Sequence, residues 1–272
     1  MHSTPERPWA DVVDAPVTER SEKPRRIGLT MVIDKGLGLN ATQDLLDTAA
    51  PYIDFIKFAF GTSVLYTSEI LAEKVRMIRS YGVDVYPGGT LLELAGLQGQ
   101  REAFLASAAR IGFTAVEVSE GTIELQRRER QRLIKGARRA GLRVISEVGK
   151  KDRAARMNPD DVVAQVEEDL DCGAEVVIVE GRDSGRGVGV YDDDGGPREA
   201  LIEGIVSNVS RPSRLMWEAP IVAQQQYWLR RVGPNVNLGN VQTNDAITLE
   251  ATRVGLRGDT LRDYVQRYLE RV

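Results

Sequence analysis

Histidine and cysteine are almost missing from this chain, at one of each in 272 residues. The single histidine, His2, stands next to the N-terminus. Serine–histidine–aspartate and cysteine–histidine nucleophilic catalysis, histidine-ligated zinc and histidine acid–base work are thereby excluded. The lone Cys172 has no partner for an intramolecular disulfide, which fits a reducing compartment, and a cytoplasmic protein is expected. No apolar run approaches the roughly 20 residues that span a bilayer, and the N-terminus carries no secretory apolar core. Positive charge is not in excess either: 36 basic against 40 acidic residues give a net charge of −4. That balance argues against nucleic acid or an anionic membrane as the main partner. An enzyme built from this chain must move protons with lysine, aspartate, glutamate or tyrosine.

What is present is a globular composition, 42% hydrophobic and 28% charged. Residues 1–25 carry Pro5, Pro8, Pro16 and Pro24 among many charges and show no periodic apolar face, so a flexible extension is expected there. Residues 26–272 read as a single domain. Short β-branched runs recur at Ile27–Ile33, Ile53–Phe58, Val83–Tyr86, Ala115–Val118, Arg143–Glu147, Val176–Glu180, Leu215–Glu218 and Val236–Leu238. Windows of helical length separate them, near 42–50, 67–81, 100–111, 126–140, 159–172, 198–208 and 220–232, and another follows the last run at 259–271. Glycines 82, 112, 141 and 173 end four of these windows where a left-handed helix stop belongs. Apolar strands alternating with helices predict a parallel sheet covered on both faces. Eight such units in this length predict an α/β fold of the (β/α)8 TIM barrel type. An open doubly wound sheet is the alternative, but G-x-G-x-x-G is missing after the first run.

Barrels keep their chemistry at the C-terminal ends of the strands, and here every run delivers polar groups at that end. Asp34 and Lys35 follow the first run, Lys57 lies in the second, and Gly88-Gly89-Thr90 follows the third. Glu117, then Glu147 with Lys150 and Lys151, then Glu180 with Arg182, and Glu218 serve the next four, and Asn237 and Gly239 the last. The carboxylates suit a hard divalent cation such as Mg²⁺, with Asp34, Glu147, Glu180 and Glu218 as the candidate ligands. The competing reading pairs some of them with Lys57, Lys150 or Arg182 as structural ion pairs. Two glycine-rich stretches suit an anion. One is Gly181–Gly189 with Arg182, Ser184, Gly185 and Arg186; the other is Gly255–Thr260 with Arg257 and Gly258, leading into the last helix. The basic run Arg127–Arg132 and the triplet Gln224–Gln226 read as solvated helix faces, Asp192–Asp194 as a loop tip, and Cys172 as a small buried hydrophobe.

Taken together in order, these strand ends resemble the phosphosulfolactate synthase family. The resemblance is carried by Thr30–Leu37, Asp54–Phe58 with Gly61-Thr62-Ser63, Tyr86–Leu91, Val116–Ser119 and Glu147–Lys151. It continues through Val179–Arg182 with Ser184-Gly185, Glu218-Ala219-Pro220, Asn237-Leu238 and Gly255–Thr260. It implies a Mg²⁺-dependent barrel enzyme that adds sulfite to phosphoenolpyruvate to give (R)-2-phospho-3-sulfolactate, the entry to coenzyme M in that family. Lys150 is then expected to protonate C2, with Lys35 and Lys57 neutralising the crowded anions. Gly88, Gly89, Arg182, Ser184, Gly185, Arg186, Asn237, Gly239, Arg257 and Gly258 are the expected substrate contacts. Small-molecule substrates and association into a homo-oligomer are expected, with neither nucleic acid nor membrane as partner. The chain departs from the family pattern at Phe60, Glu120, Ile221, Gly239 and Val254. Two further readings therefore stand beside this one: a barrel that adds another nucleophile, a thiol or a different oxyanion, to phosphoenolpyruvate, and a non-catalytic anion-binding barrel of the heat-stress-associated type.

Overall fold

Eight short strands follow one another around a barrel in the structure, a computed structural model that describes residues 9, 11–152 and 156–269. The strands are β1 (Thr30–Asp34), β2 (Phe55–Phe58), β3 (Asp84–Pro87), β4 (Ala115–Val118), β5 (Arg143–Val148), β6 (Val176–Val179), β7 (Leu215–Glu218) and β8 (Asn237–Gln242). Ten α-helices are described: α1 (Leu39–Ala49), α2 (Ser68–Ser80), α3 (Gly89–Leu97), α4 (Arg101–Ile111), α5 (Arg127–Arg139), α6 (Pro159–Cys172), α7 (Glu199–Val206), α8 (Val222–Val232), α9 (Ala246–Arg253) and α10 (Gly258–Leu269). All pairings are parallel, in the order β3-β2-β1-β8-β7-β6-β5-β4. The (β/α)8 expectation holds. The gap between β3 and β4 is bridged at its lower end by Thr114: its N–H donates to the Val85 carbonyl at 3.0 Å, and its hydroxyl accepts from the Val85 N–H at 2.9 Å.

Successive strand residues point to opposite faces, and that period builds the interior in tiers. Leu29, Met31, Phe55, Tyr86, Ala115, Ile145, Val176, Ile178 and Met216 fill the barrel itself, while a larger apolar layer lies between strands and helices. One strand step above this filling, the same face carries charge. Lys57 stands two residues beyond Phe55, Glu117 beyond Ala115, Glu147 beyond Ile145, Glu180 beyond Ile178 and Glu218 beyond Met216.

The two helices without a counterpart in the sequence windows are α3 and α9. The α3 segment, GTLLELAGL, is apolar on nearly all sides and holds an internal glycine, so it shows no clear polar face. The proline-rich start is not loose throughout. Between Val17 and Arg25 it is tied down: Arg20 to Glu250 at 2.9 Å, Lys23 to the Ala50 carbonyl at 2.9 Å, and Arg25 to Asp54 at 3.1 Å. His2, Pro5 and Pro8 lie outside the described residues. No helix among the described residues is long and apolar enough to cross a membrane.

Candidate active site

The C-terminal ends of the strands surround a cavity of about 480 Å³, a size suited to a small metabolite. Its floor is a charge cluster. The Lys57 ammonium lies 3.0 Å from Glu117, 3.6 Å from Glu147 and 3.6 Å from Glu218. Lys151 reaches Glu147 at 3.2 Å. Glu117, Glu147, Glu180 and Glu218 are all buried.

Backbone N–H groups aim these carboxylates. Gly89 donates to Glu117 at 2.8 Å, Gly181 to Glu218 at 3.0 Å and Arg182 to Glu180 at 2.7 Å. Arg182 adopts φ 62° to turn its N–H back in this way. Gly89 must be glycine because a Cβ there would lie 2.2 Å from the Ser119 hydroxyl.

Four carboxylates face two ammonium groups in this layer, and the imbalance shows in their acidities. Burial would raise Glu147, but Lys151 and Lys57 outweigh it and hold its pKa at about 2. Burial pushes Glu180 well above the usual carboxylate range, and the charges of Glu147 and Glu218 push it further. Glu117 is also raised, chiefly by burial against the pull of Lys57. For Lys57 and Lys151 burial works against the charged form, yet the surrounding glutamates keep both pKa values above that of a free lysine. Glu180 carries a buried Oε2 with no hydrogen-bond partner, beside the charges of Glu147 and Glu218. That is where a cation would find an open carboxylate oxygen. Among the described residues no three carboxylates converge tightly enough to hold a metal unaided. The donor set fits an ion such as Mg²⁺, which takes one or two carboxylates and completes its shell with water or substrate oxygens.

The expected site residues divide cleanly. Lys57, Gly88, Gly89, Glu180, Glu218 and Arg182 line the cavity, and Glu147 lies beneath it against Lys57 and Lys151. Lys35 sits on the rim, paired with Asp183 at 3.6 Å and 5.8 Å from the Phe60 ring centre. Lys150 is turned away: its ammonium donates to the Glu120 and Ile123 carbonyls, both at 2.9 Å, and Lys151 faces the cavity in its place. Asp34 does not join the cluster. Its Oδ2 is held by Lys74 at 2.5 Å, and its Oδ1 accepts the Gly36 and Leu37 N–H groups, so it shapes the loop after β1. Asn237 points into the lower barrel, accepting from the Leu29 N–H at 3.0 Å and donating to the Ser213 and Leu215 carbonyls. Gly239 lies in the apolar filling, where a Cβ would be 2.9 Å from Met31 Cε. Ser184 and Arg186 are exposed, Gly185 packs on Gln224, and Arg257 pairs with Asp259 at 3.3 Å beside Gly258; none of the five lines the cavity.

Several working residues have roles that the sequence pattern does not disclose. Glu93, close behind the third strand end in the sequence, lies on α3 and accepts five donors from the loop after β4, among them Ser119 at 2.5 Å and the Thr122 N–H at 2.8 Å, and these bonds lower its pKa against the effect of burial. Arg130, expected on a solvated face, is buried; it bonds Asp169 at 2.6 Å and the Glu147 carbonyl at 2.8 Å. Gln224 and Gln225 are buried as well, and Gln224 holds the Gly185 and Gly195 carbonyls at 2.7 and 3.0 Å. Cys172 is half-buried rather than buried.

A family model described as (2R)-phospho-3-sulfolactate synthase (ComA) matches residues 18–259. A phosphosulfolactate synthase from Methanothermobacter thermautotrophicus is 45% identical over 244 residues, covering 89% of this chain and 94% of the relative. One from Methanocaldococcus jannaschii is 40% identical over 235 residues, covering 86% and 93%. Among solved structures, the YdjI aldolase of Escherichia coli K12 superposes with a TM-score of 0.54 at 14% identity, covering 90% of both chains, a likeness of fold alone.

Proposed function

Because the chain belongs to the phosphosulfolactate synthase family, we propose that the cavity above Lys57 joins sulfite to phosphoenolpyruvate with Mg²⁺ as cofactor. One observation carries the reading: buried, unbalanced carboxylates beneath a cavity whose walls hold Lys57, Lys151 and Arg182. That arrangement suits a small polyanion entering together with a divalent cation.

The reaction forms a bond between sulfur and C3, moves the double-bond electrons onto the carboxylate, and ends with a proton on C2. Charge developing on the carboxylate must be met where it appears. Glu180 and Glu218, with Glu147 behind them, would hold the cation, which supplies Lewis-acid stabilisation of that carboxylate. Lys57 stays charged throughout and offsets the same negative charge from below. Arg182, which lines the cavity, and the positive end of the α3 dipole after Gly88-Gly89 offer an anion seat for the phosphate. Lys151 is the proton donor to C2 in this reading. Glu147 keeps it a weak acid, and drawing Glu147's charge away brings the ammonium toward the range useful for proton transfer. Lys150 acts at one remove, fixing the loop after β4 through the carbonyls of Glu120 and Ile123.

Phosphorus NMR of the protein with phosphoenolpyruvate, Mg²⁺ and sulfite tests the reading. A new phosphate-ester signal that needs both sulfite and metal is expected. An unchanged phosphoenolpyruvate signal would overturn it and turn attention to other nucleophiles. We place the enzyme in the cytoplasm, in keeping with its single unpaired cysteine. We further infer that copies of the chain associate through the apolar face around Val64, Leu65, Leu94 and Leu97, which are 64%, 84%, 48% and 70% exposed.

A further inference from the structure

Around the cavity the strands contribute one inward residue each at the level of the charges, and on β8 that residue is set by an irregularity. Thr30 of β1 pairs with Leu238, but Val32 pairs with Val241, so two steps on β1 match three on β8. The extra residue is a β-bulge, and Asn240 occupies it at φ 52°. Without the bulge the alternation from Gly239 would turn Val241 inward and Asn240 toward the helices. With it, Val241 joins the outer apolar layer and the Asn240 amide forms part of the cavity wall, near Glu218 and Lys57.

Two more observations single this side chain out. It is 3% exposed, and its Oδ1 has no hydrogen-bond partner, the one uncharged side chain of the described wall among the buried atoms left without one. Among the described residues only three that are not glycine have positive φ, namely Phe60, Arg182 and Asn240, and all three line this one cavity. Backbone held in that region is concentrated where function over-determines it. Asparagine is one of the few side chains that tolerates it, so the bulge places an amide at the mouth with little conflict.

We propose that Asn240 is a substrate-positioning residue for the reaction proposed above, its neutral amide hydrogen-bonding an anionic oxygen of the phosphorylated carboxylate. The inference rests on that reading of the site. The amide brings two N–H donors to the wall for such an oxygen. A neutral donor here adds direction without adding charge to a layer already crowded with ions. A carboxylate in the same place would repel the substrate.

The test compares Asn240→Gly, which keeps the left-handed backbone and removes the amide, with Asn240→Asp, which keeps the shape and adds charge. Melting, turnover by phosphorus NMR at varied phosphoenolpyruvate, and calorimetric binding of phosphoenolpyruvate are measured for each. Both variants are expected to melt close to the wild type. In Asn240→Gly the KM for phosphoenolpyruvate rises about tenfold with kcat changed by less than about threefold, the pattern of lost binding. In Asn240→Asp the KM rises at least about tenfold further. A wild-type KM in Asn240→Gly, or equal behaviour of the two variants, overturns the assignment. So does a fall in kcat and melting temperature together at unchanged KM, because that is a structural role. If the wild type makes no product yet binds phosphoenolpyruvate, and Asn240→Asp abolishes that binding, the synthase reading falls and the contact stands. A wild type that neither binds nor converts phosphoenolpyruvate overturns both.

Discussion

Lys150 and Lys151 are neighbours in sequence with opposite surroundings, and the difference yields a direct comparison. Lys151 reaches Glu147 and the cavity; Lys150 is spent on two backbone carbonyls. Lys151→Ala is expected to lower kcat by more than about a hundredfold, within the range for losing a general acid, while phosphoenolpyruvate still binds in calorimetry. Lys150→Ala is expected to raise KM and loosen the loop after β4, with a smaller effect on kcat. If Lys150→Ala abolished turnover and Lys151→Ala did not, the roles of the two lysines would be reversed. The sequence shows two adjacent lysines at a strand end and nothing that separates them. What separates them is the chain beyond β5, where Gly149 takes φ 116° and the strand's alternation is broken.

At the scale of elements, the helices hold the site from outside. Arg130 of α5 and Asp169 of α6 form a buried pair that also fixes the Glu147 carbonyl at the end of β5. Removing one member of such a pair leaves an uncompensated charge. Arg130→Met is therefore expected to cost about 3–5 kcal/mol of stability in denaturant titration. The double variant Arg130→Met/Asp169→Leu should recover at least about half of that loss, since an apolar pair needs no partner. Additive losses in the two single variants would show that the pair is not coupled. Such braces mark the limit of what sequence alone discloses. The eight strands are legible because parallel barrel strands are buried on both faces and read as β-branched runs. Lys57, Glu147, Glu180 and Glu218 are legible because strand-end charge in a barrel has one place to go. Arg130 and Gln224 are not, because a polar side chain on an amphipathic helix looks the same whether it meets water or a buried carbonyl. Asp34 reads as a metal ligand because its partner, Lys74, lies on α2, forty residues away. Asn240 goes unnoticed because a bulge leaves no trace in the pattern; Asn237 and Gly239 stand nearer the strict alternation and read as the mouth.

For the whole molecule, the charge layer in the barrel ties stability to pH and to divalent cations. A carboxyl whose folded pKa lies above its unfolded value binds its proton more tightly when folded. Between those two values the folded chain holds more protons than the unfolded one, and stability falls as pH rises. Glu180 and Glu117 are in this class, so in EDTA their contribution is full below about pH 4.3 and is lost as pH climbs above it. Glu147 works the other way. Held at about 2, it supplies stability above the ordinary carboxylate range that is lost as pH falls toward that value. Without a divalent ion the melting temperature is therefore expected to decline from weakly acidic to alkaline pH. A divalent cation held by Glu180 and Glu218, as proposed above, would offset these charges and remove the penalty. At a hundred times its Kd it adds about 2.7 kcal/mol, roughly 5–10 °C for a chain of this size. Mg²⁺ should thus raise the melting temperature most at pH 8 and least near pH 5. Glu180→Gln removes one of the crowded charges, so it should melt higher than the wild type in EDTA at pH 8 and gain less from Mg²⁺. Superimposable melting curves with and without Mg²⁺ at pH 8 would mean that the carboxylates are balanced by the lysines alone. The cavity would then be a purely organic anion site, with Lys57, Lys151 and Arg182 left to meet the charge that develops on the substrate carboxylate.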